Sequence, residues 1–170
     1  DWIRVARNHV AAHSVHTIMK SLDVLAKQRK LIDRAFEGLS SEQLLAVPKG
    51  FTNNILWNLG HIVVTQEMLT YRLSGLELCL PETMAQAFGR GSSPASWTEP
   101  PDAEEVRREL QESPTRLAAD YAAGRFSGFQ GYTTSTGLEL RDVEEAIAFN
   151  NFHEGIHLGV VLAQRKLVCG

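Results

Sequence analysis

Apolar residues recur along this chain at alternating four- and three-residue steps, the spacing of one face of a helix. Ile18, Leu22, Leu25, Arg29, Ile32 and Phe36 fall on such a face and predict a first helix that Gly38 ends. Ser40 with Gln43 reads as the capping box of a short following turn. After a break at Pro48-Lys49-Gly50, Thr52 is expected to cap a second long helix reaching about Gly75. Residues 79–101 are crowded with Pro and Gly and predict a crossover loop, with one helical turn around Met84 to Phe88. A loop that long usually covers something. Asp102 with Glu105 starts a third helix carrying Val106, Leu110, Leu117 and Tyr121, which Pro114 is expected to kink or interrupt.

Between Phe126 and Leu140 the pattern changes. Phe129, Tyr132, Thr133, Thr134 and Thr136 are strand formers and Gly137 is a turn residue, so a small β-hairpin is predicted. Asp142 and Glu145 then cap a fourth helix reaching about Lys166. The expected fold class is all-α, a four-helix bundle with a long crossover between helices 2 and 3 and a hairpin before helix 4.

Composition narrows the setting. The 170 residues suit one domain at about 150 residues each, here 19–170, with 1–18 set apart as an N-terminal extension holding His9, His13 and His16. That trio shares helical spacing and could capture metal adventitiously. Two cysteines, Cys79 and Cys169, are too few for a disulfide scaffold, which points to a reduced, cytoplasmic protein. A net charge of −3 argues against a nucleic-acid partner. The longest uncharged stretch, 51–66, is shorter than the roughly 20 residues of a membrane span, and no signal-peptide pattern is expected.

The chemistry is carried by three histidines. On helix four, Ala146, Phe149, His153, Ile156, His157 and Val160 share one stripe; on helix two, Trp57, His61, Val64, Thr65 and Met68 share another. Both stripes are expected to face the bundle interior. One such histidine alone suggests a hydrogen-bonded core residue. Three neutral imidazoles together compete for few partners, at about 1–3 kcal/mol per unpaired buried group. A divalent ion resolves the conflict, and His at i and i+4 with a third His from a facing helix is a chelating set. Asn58 and Asn150 each precede a histidine by three residues, where they either orient the imidazoles or bond across helices. Gly60 and Gly155 suggest close helix approach. Glu154 is expected at the edge of the stripe, reaching a bound water or facing solvent.

His153-Glu154-Gly155-Ile156-His157 matches the His-Glu-x-x-His pattern of zinc proteases, but a third ligand downstream is missing. A di-iron bundle is also disfavoured, because Asn58 stands where Glu would be needed before His61.

Trp57-Asn58-Leu59-Gly60-His61-Ile62, followed by Asn150 through Gly159, resembles the DinB-like (DinB/YfiT) superfamily of metal-binding four-helix bundles. The resemblance covers nearly all of residues 19–168. It implies one divalent ion, zinc or nickel, held by His61, His153 and His157, with open positions for water, and a homodimer. It also implies a small-molecule substrate, with thiol S-transferases using low-molecular-weight thiols, a thiol-dependent isomerase and hydrolase-type relatives as precedents. A metal-dependent enzyme is the leading reading, with Glu154 as proton acceptor and with Trp97 and Tyr132 covering the substrate. The alternative is a non-catalytic metal-containing binding or sensing module acting as a homodimer.

Overall fold

Four of the helices start where a side chain satisfies the first free backbone N–H groups. The computed structural model describes residues 2–170, with side chains described from His16 onward. Helix α1 spans Trp2–Phe36, so the chain ahead of Ile18 continues the first helix. The side chains of His9 and His13 lie outside the described residues.

Ser40 and Gln43 form the expected capping box of α2 (Ser41–Leu45). For α3 (Ile55–Thr70) the cap is Asn54 rather than Thr52: its extended backbone lets the side-chain oxygen accept from Trp57 N–H at 2.8 Å. A 3₁₀ turn at Arg72–Ser74 follows, closed by Gly75 at φ 73°, a left-handed conformation that suits glycine. The crossover holds α4 (Glu82–Phe88), and Asp102 caps α5 (Ala103–Ala122) by accepting from Glu104 N–H at 2.9 Å. Strands β1 (Tyr132–Thr133) and β2 (Glu139–Leu140) pair antiparallel, and Asp142 caps α6 (Val143–Cys169).

Pro114 does not end α5, which continues past it to Ala122. A proline there strands the carbonyl four residues back, that of Leu110. Arg29 supplies the missing donor, its Nη1 lying 3.3 Å from Leu110 O.

The four long helices form the expected all-α bundle. Asn151 donates to Ser21 O and Arg165 to Ala35 O, so α1 and α6 run parallel. Ser113 meets Gln66 and Asp120 meets Tyr71, so α3 and α5 are parallel too. Arg29 on Ser113 and Arg107 on Asp33 make α1 and α5 antiparallel; Asn58 on Gln164 with His61 against His153 does the same for α3 and α6. Parallel α3 and α5 need a connection that returns the length of the bundle, about 24 Å for a 16-residue helix. That need explains the long crossover. Leu25, Ile32, Leu59, Ile62, Leu110, Leu117 and Val161 are fully buried between the helices. Among the described residues no helix is long and apolar enough to cross a membrane.

Through the centre of this apolar core runs an ion pair. Arg29, 3% exposed, donates from Nε and Nη2 to the two carboxylate oxygens of Glu154, 0% exposed, at 2.8 and 2.7 Å. Gln28 and Asn150 each donate once more to that carboxylate, at 2.8 and 2.7 Å. Arg29 also donates to Gln66 Oε1 and Ser113 Oγ, so this network touches all four long helices.

Candidate metal centre

His61 projects from α3, and His153 and His157 from successive turns of α6, whose antiparallel course brings the three rings together. One ring nitrogen of each lies within 4.8 Å of the other two. Ring centroids are 4.5 Å apart for His153 and His157, 5.2 Å for His61 and His153, and 4.9 Å for His61 and His157.

Two of the rings have their tautomer set by a partner behind them. His61 Nδ1–H donates to Phe88 O at 2.7 Å, leaving its Nε2 lone pair free. Thr65 Oγ1 lies 3.3 Å from that nitrogen. His157 Nδ1–H donates to Asn58 Oδ1 at 2.8 Å. The Asn58 amide cannot be turned over, because its Nδ2 serves Asn53 Oδ1, Asn54 O and Gln164 Oε1. Trp57 stacks on His61 at 4.5 Å and 12° between planes, and is itself pinned by Nε1 donating to Ser92 Oγ at 2.9 Å.

Gly60 lets α4 come this close. A Cβ at Gly60 would stand 2.4 Å from the Phe88 ring, so any larger residue pushes away the segment whose carbonyl holds His61. Gly155 has open space around it, so close helix approach explains Gly60 and not Gly155.

Burial and the neighbouring imidazoles keep the rings neutral. Burial first, then the charges of His157 and His61, pushes His153 down to about 3. Burial first, then His61, pushes His157 down to about 4. Burial lowers His61 as well, partly offset by its bond to Phe88 O.

These residues fit a divalent ion. His153 and His157 face each other Nε2 to Nε2 at 3.2 Å. Two nitrogens each about 2.0–2.1 Å from one ion stand roughly 3.0–3.4 Å apart. His153 Nδ1 is buried without a partner, so this ring, unlike the other two, has no hydrogen bond behind it to set its tautomer. Three neutral imidazoles with lone pairs converging from two helices are a donor set that suits a divalent metal ion.

The remaining expected residues divide. Asn58 orients an imidazole, that of His157 on the facing helix. Asn150 turns its amide to Glu154 instead. The expectation that Glu154 reaches a bound water or faces solvent is corrected: it is fully buried, and four donors occupy its carboxylate. Ile156, expected inside, is 51% exposed. The buried line of α6 runs through Ala146, Ile147, Asn150, Glu154 and Gln164, so the histidines lie on its flank.

A half-open cavity of about 630 Å³ reaches His61 and His153. Its walls come from α3, α4, the hairpin and α6, with Tyr132 among them. Trp97 instead packs edge-on against Phe88 at 5.6 Å and donates to Ala87 O at 3.1 Å. Arg72 and Arg90, which the helical stripes do not point to, also line the cavity. Cys79 and Cys169 are exposed free thiols outside the histidine cluster.

The family model described as the DinB superfamily matches residues 25–161, a span that includes all three histidines. No curated protein matches the chain.

Proposed function

The chain belongs to the DinB superfamily, and from that premise we propose that it is a metal-dependent enzyme acting on a small molecule. His61, His153 and His157 would hold one zinc or nickel ion. The observation that carries this reading is the cavity: a three-histidine set reached by a solvent-connected space of about 630 Å³ suits chemistry, where a sealed site would suit structure alone. The bound ion would lower the pKa of a thiol or water beside it, supplying a nucleophile at neutral pH for S-transfer or hydrolysis.

The protein's own residues prepare that site. Phe88 O and Asn58 Oδ1 fix two imidazoles with Nε2 lone pairs free for the ion, and neutral rings need not lose a proton on binding it. Trp57 holds the plane of His61 by stacking. Thr65, beside His61 Nε2, offers a hydroxyl that can accept or donate a hydrogen bond to a bound group. Glu154 has its acceptor sites filled, so its role in this reading is to brace α6 between the two histidines rather than to transfer protons.

The homodimer is part of the same proposal. Phe152 and Ile156 are 58% and 51% exposed, and a Cβ at Gly155 or Gly159 would meet open space, so the outer face of α6 can accept a second copy.

The test is a thiol-conjugation and hydrolysis panel on metal-loaded protein, with His157→Ala as control and His9, His13 and His16 replaced by Ala throughout. Turnover that disappears with His157→Ala is expected. Stoichiometric metal without turnover over a broad panel would favour the binding-module reading.

A further inference from the structure

The cavity beside the histidines has a charge pattern that selects among small molecules. Besides His61 and His153, its acidic and basic lining consists of Arg72, Arg90 and Glu82. Two arginines therefore face a single carboxylate across the cavity. The chain as a whole carries −3, so this positive surplus is local to the cavity. Neither arginine makes an ion pair or side-chain hydrogen bond among the described residues, whereas Arg29, Arg107, Arg116, Arg125 and Arg141 each have a carboxylate partner. Glu82 is engaged by Gln86 rather than by either arginine.

The two guanidinium groups are spread along the cavity. Arg90 follows Phe88, whose carbonyl holds His61, by two residues, and so belongs to the histidine end. Arg72 lies eleven residues beyond His61 along α3 and its 3₁₀ extension, roughly 16 Å at 1.5 Å per residue. Val64, Met68, Leu69 and Phe149 supply apolar wall. A guanidinium presents a planar fork of donors matched to a carboxylate.

We propose that the cavity binds small organic anions, its substrates carrying a carboxylate paired with one of Arg72 and Arg90, which the single variants below identify, while an apolar body lies along the wall. The inference rests on the reading that this cavity is the substrate site of the three-histidine centre.

The experiment measures binding of ω-mercaptohexanoate and of the uncharged mercaptohexanol to the full chain by calorimetry. It is repeated for R72Q, R90Q and the double variant, with circular dichroism as the fold control; both side chains are exposed and unpartnered, so the fold should persist. A second arm follows thiolate-to-metal charge-transfer absorption in cobalt-loaded protein, and a third compares hexanoate with hexanol. The acid should bind about tenfold more tightly than the alcohol, the size of one charge-assisted contact, and the double variant should lose that preference without losing affinity for mercaptohexanol. Equal binding of acid and alcohol, a preference that survives in the double variant, or no saturable binding of either acid would each overturn the proposal. A missing charge-transfer band with the carboxylate preference intact would instead remove the metal-activated thiol and leave the anion site standing.

Discussion

Glu154→Gln separates a bracing role from a proton-transfer role at the same residue. The amide replaces one acceptor oxygen by an NH₂ group and removes the negative charge. Turned one way, its NH₂ meets Arg29 Nη2 and Asn150 Nδ2; turned the other, it meets Arg29 Nε and Gln28 Nε2. Either orientation sets donors against donors and leaves the buried guanidinium of Arg29 without its counter-ion. Breaking one partner of such a buried pair costs about 3–5 kcal/mol. For a chain of this length that is a fall of roughly 6–20 °C in Tm, at about 2–4 °C per kcal/mol. The assay is urea and thermal unfolding of metal-free protein, so that no bound ion contributes. Replacing both partners, Arg29→Met with Glu154→Leu, should recover only part of the loss, because an apolar pair carries no desolvation cost but leaves Leu110 O and the Asn150 amide without partners. The reasoning is refuted if Glu154→Gln unfolds within about 0.5 kcal/mol of the parent while catalysis is abolished. That result would place the carboxylate in the chemistry.

Three further outcomes follow from the same geometry. Gly60→Ala, with its new Cβ against the Phe88 ring, should destabilise by about 1–3 kcal/mol and weaken metal retention, whereas Gly155→Ala in open space should be neutral or stabilise by up to about 1 kcal/mol in urea melts. Asn58→Ala frees the His157 ring and should lower metal affinity by about 10–100-fold, read by competition with a chromogenic chelator. The metal-free protein should lose stability on acidification. Because His153 and His157 have folded pKa values of about 3 and about 4, below the ordinary 6.5, the unfolded chain binds more protons in that window. Their contribution is therefore present in full above about pH 6.5 and declines toward pH 4; a His153→Ala/His157→Ala variant should show a flatter profile between pH 6.5 and 5.

Much of this was legible because helical periodicity and capping are local. Ile18 through Phe36, the Ser40–Gln43 box and the Asp142 cap depend on residues within a turn or two of each other. The histidine cluster was legible for a related reason: His61, His153 and His157 stand out chemically on otherwise apolar stripes. What escaped was the face of α6. A stripe drawn from apolarity alone excludes Asn150, Glu154 and Gln164, yet these are the buried residues, because Arg29, Gln28, Asn58 and neighbouring amides satisfy them from other helices. Pro114 did not interrupt its helix, and the carbonyl it strands takes its donor from a guanidinium more than 80 residues away in sequence. Trp57, four residues before His61, carried a spacing signal for the stacking it makes. The Phe88 carbonyl carried none, since backbone groups have no sequence signature.

The central claim is that three imidazoles from α3 and α6 share one divalent ion. X-ray absorption on zinc- or nickel-loaded protein, with His9, His13 and His16 replaced by Ala, tests it most directly. The account predicts one ion per chain with three imidazole nitrogens at about 2.0–2.1 Å, lost on replacing any one of His61, His153 or His157. Absent stoichiometric binding, or binding unchanged by all three replacements, would contradict it.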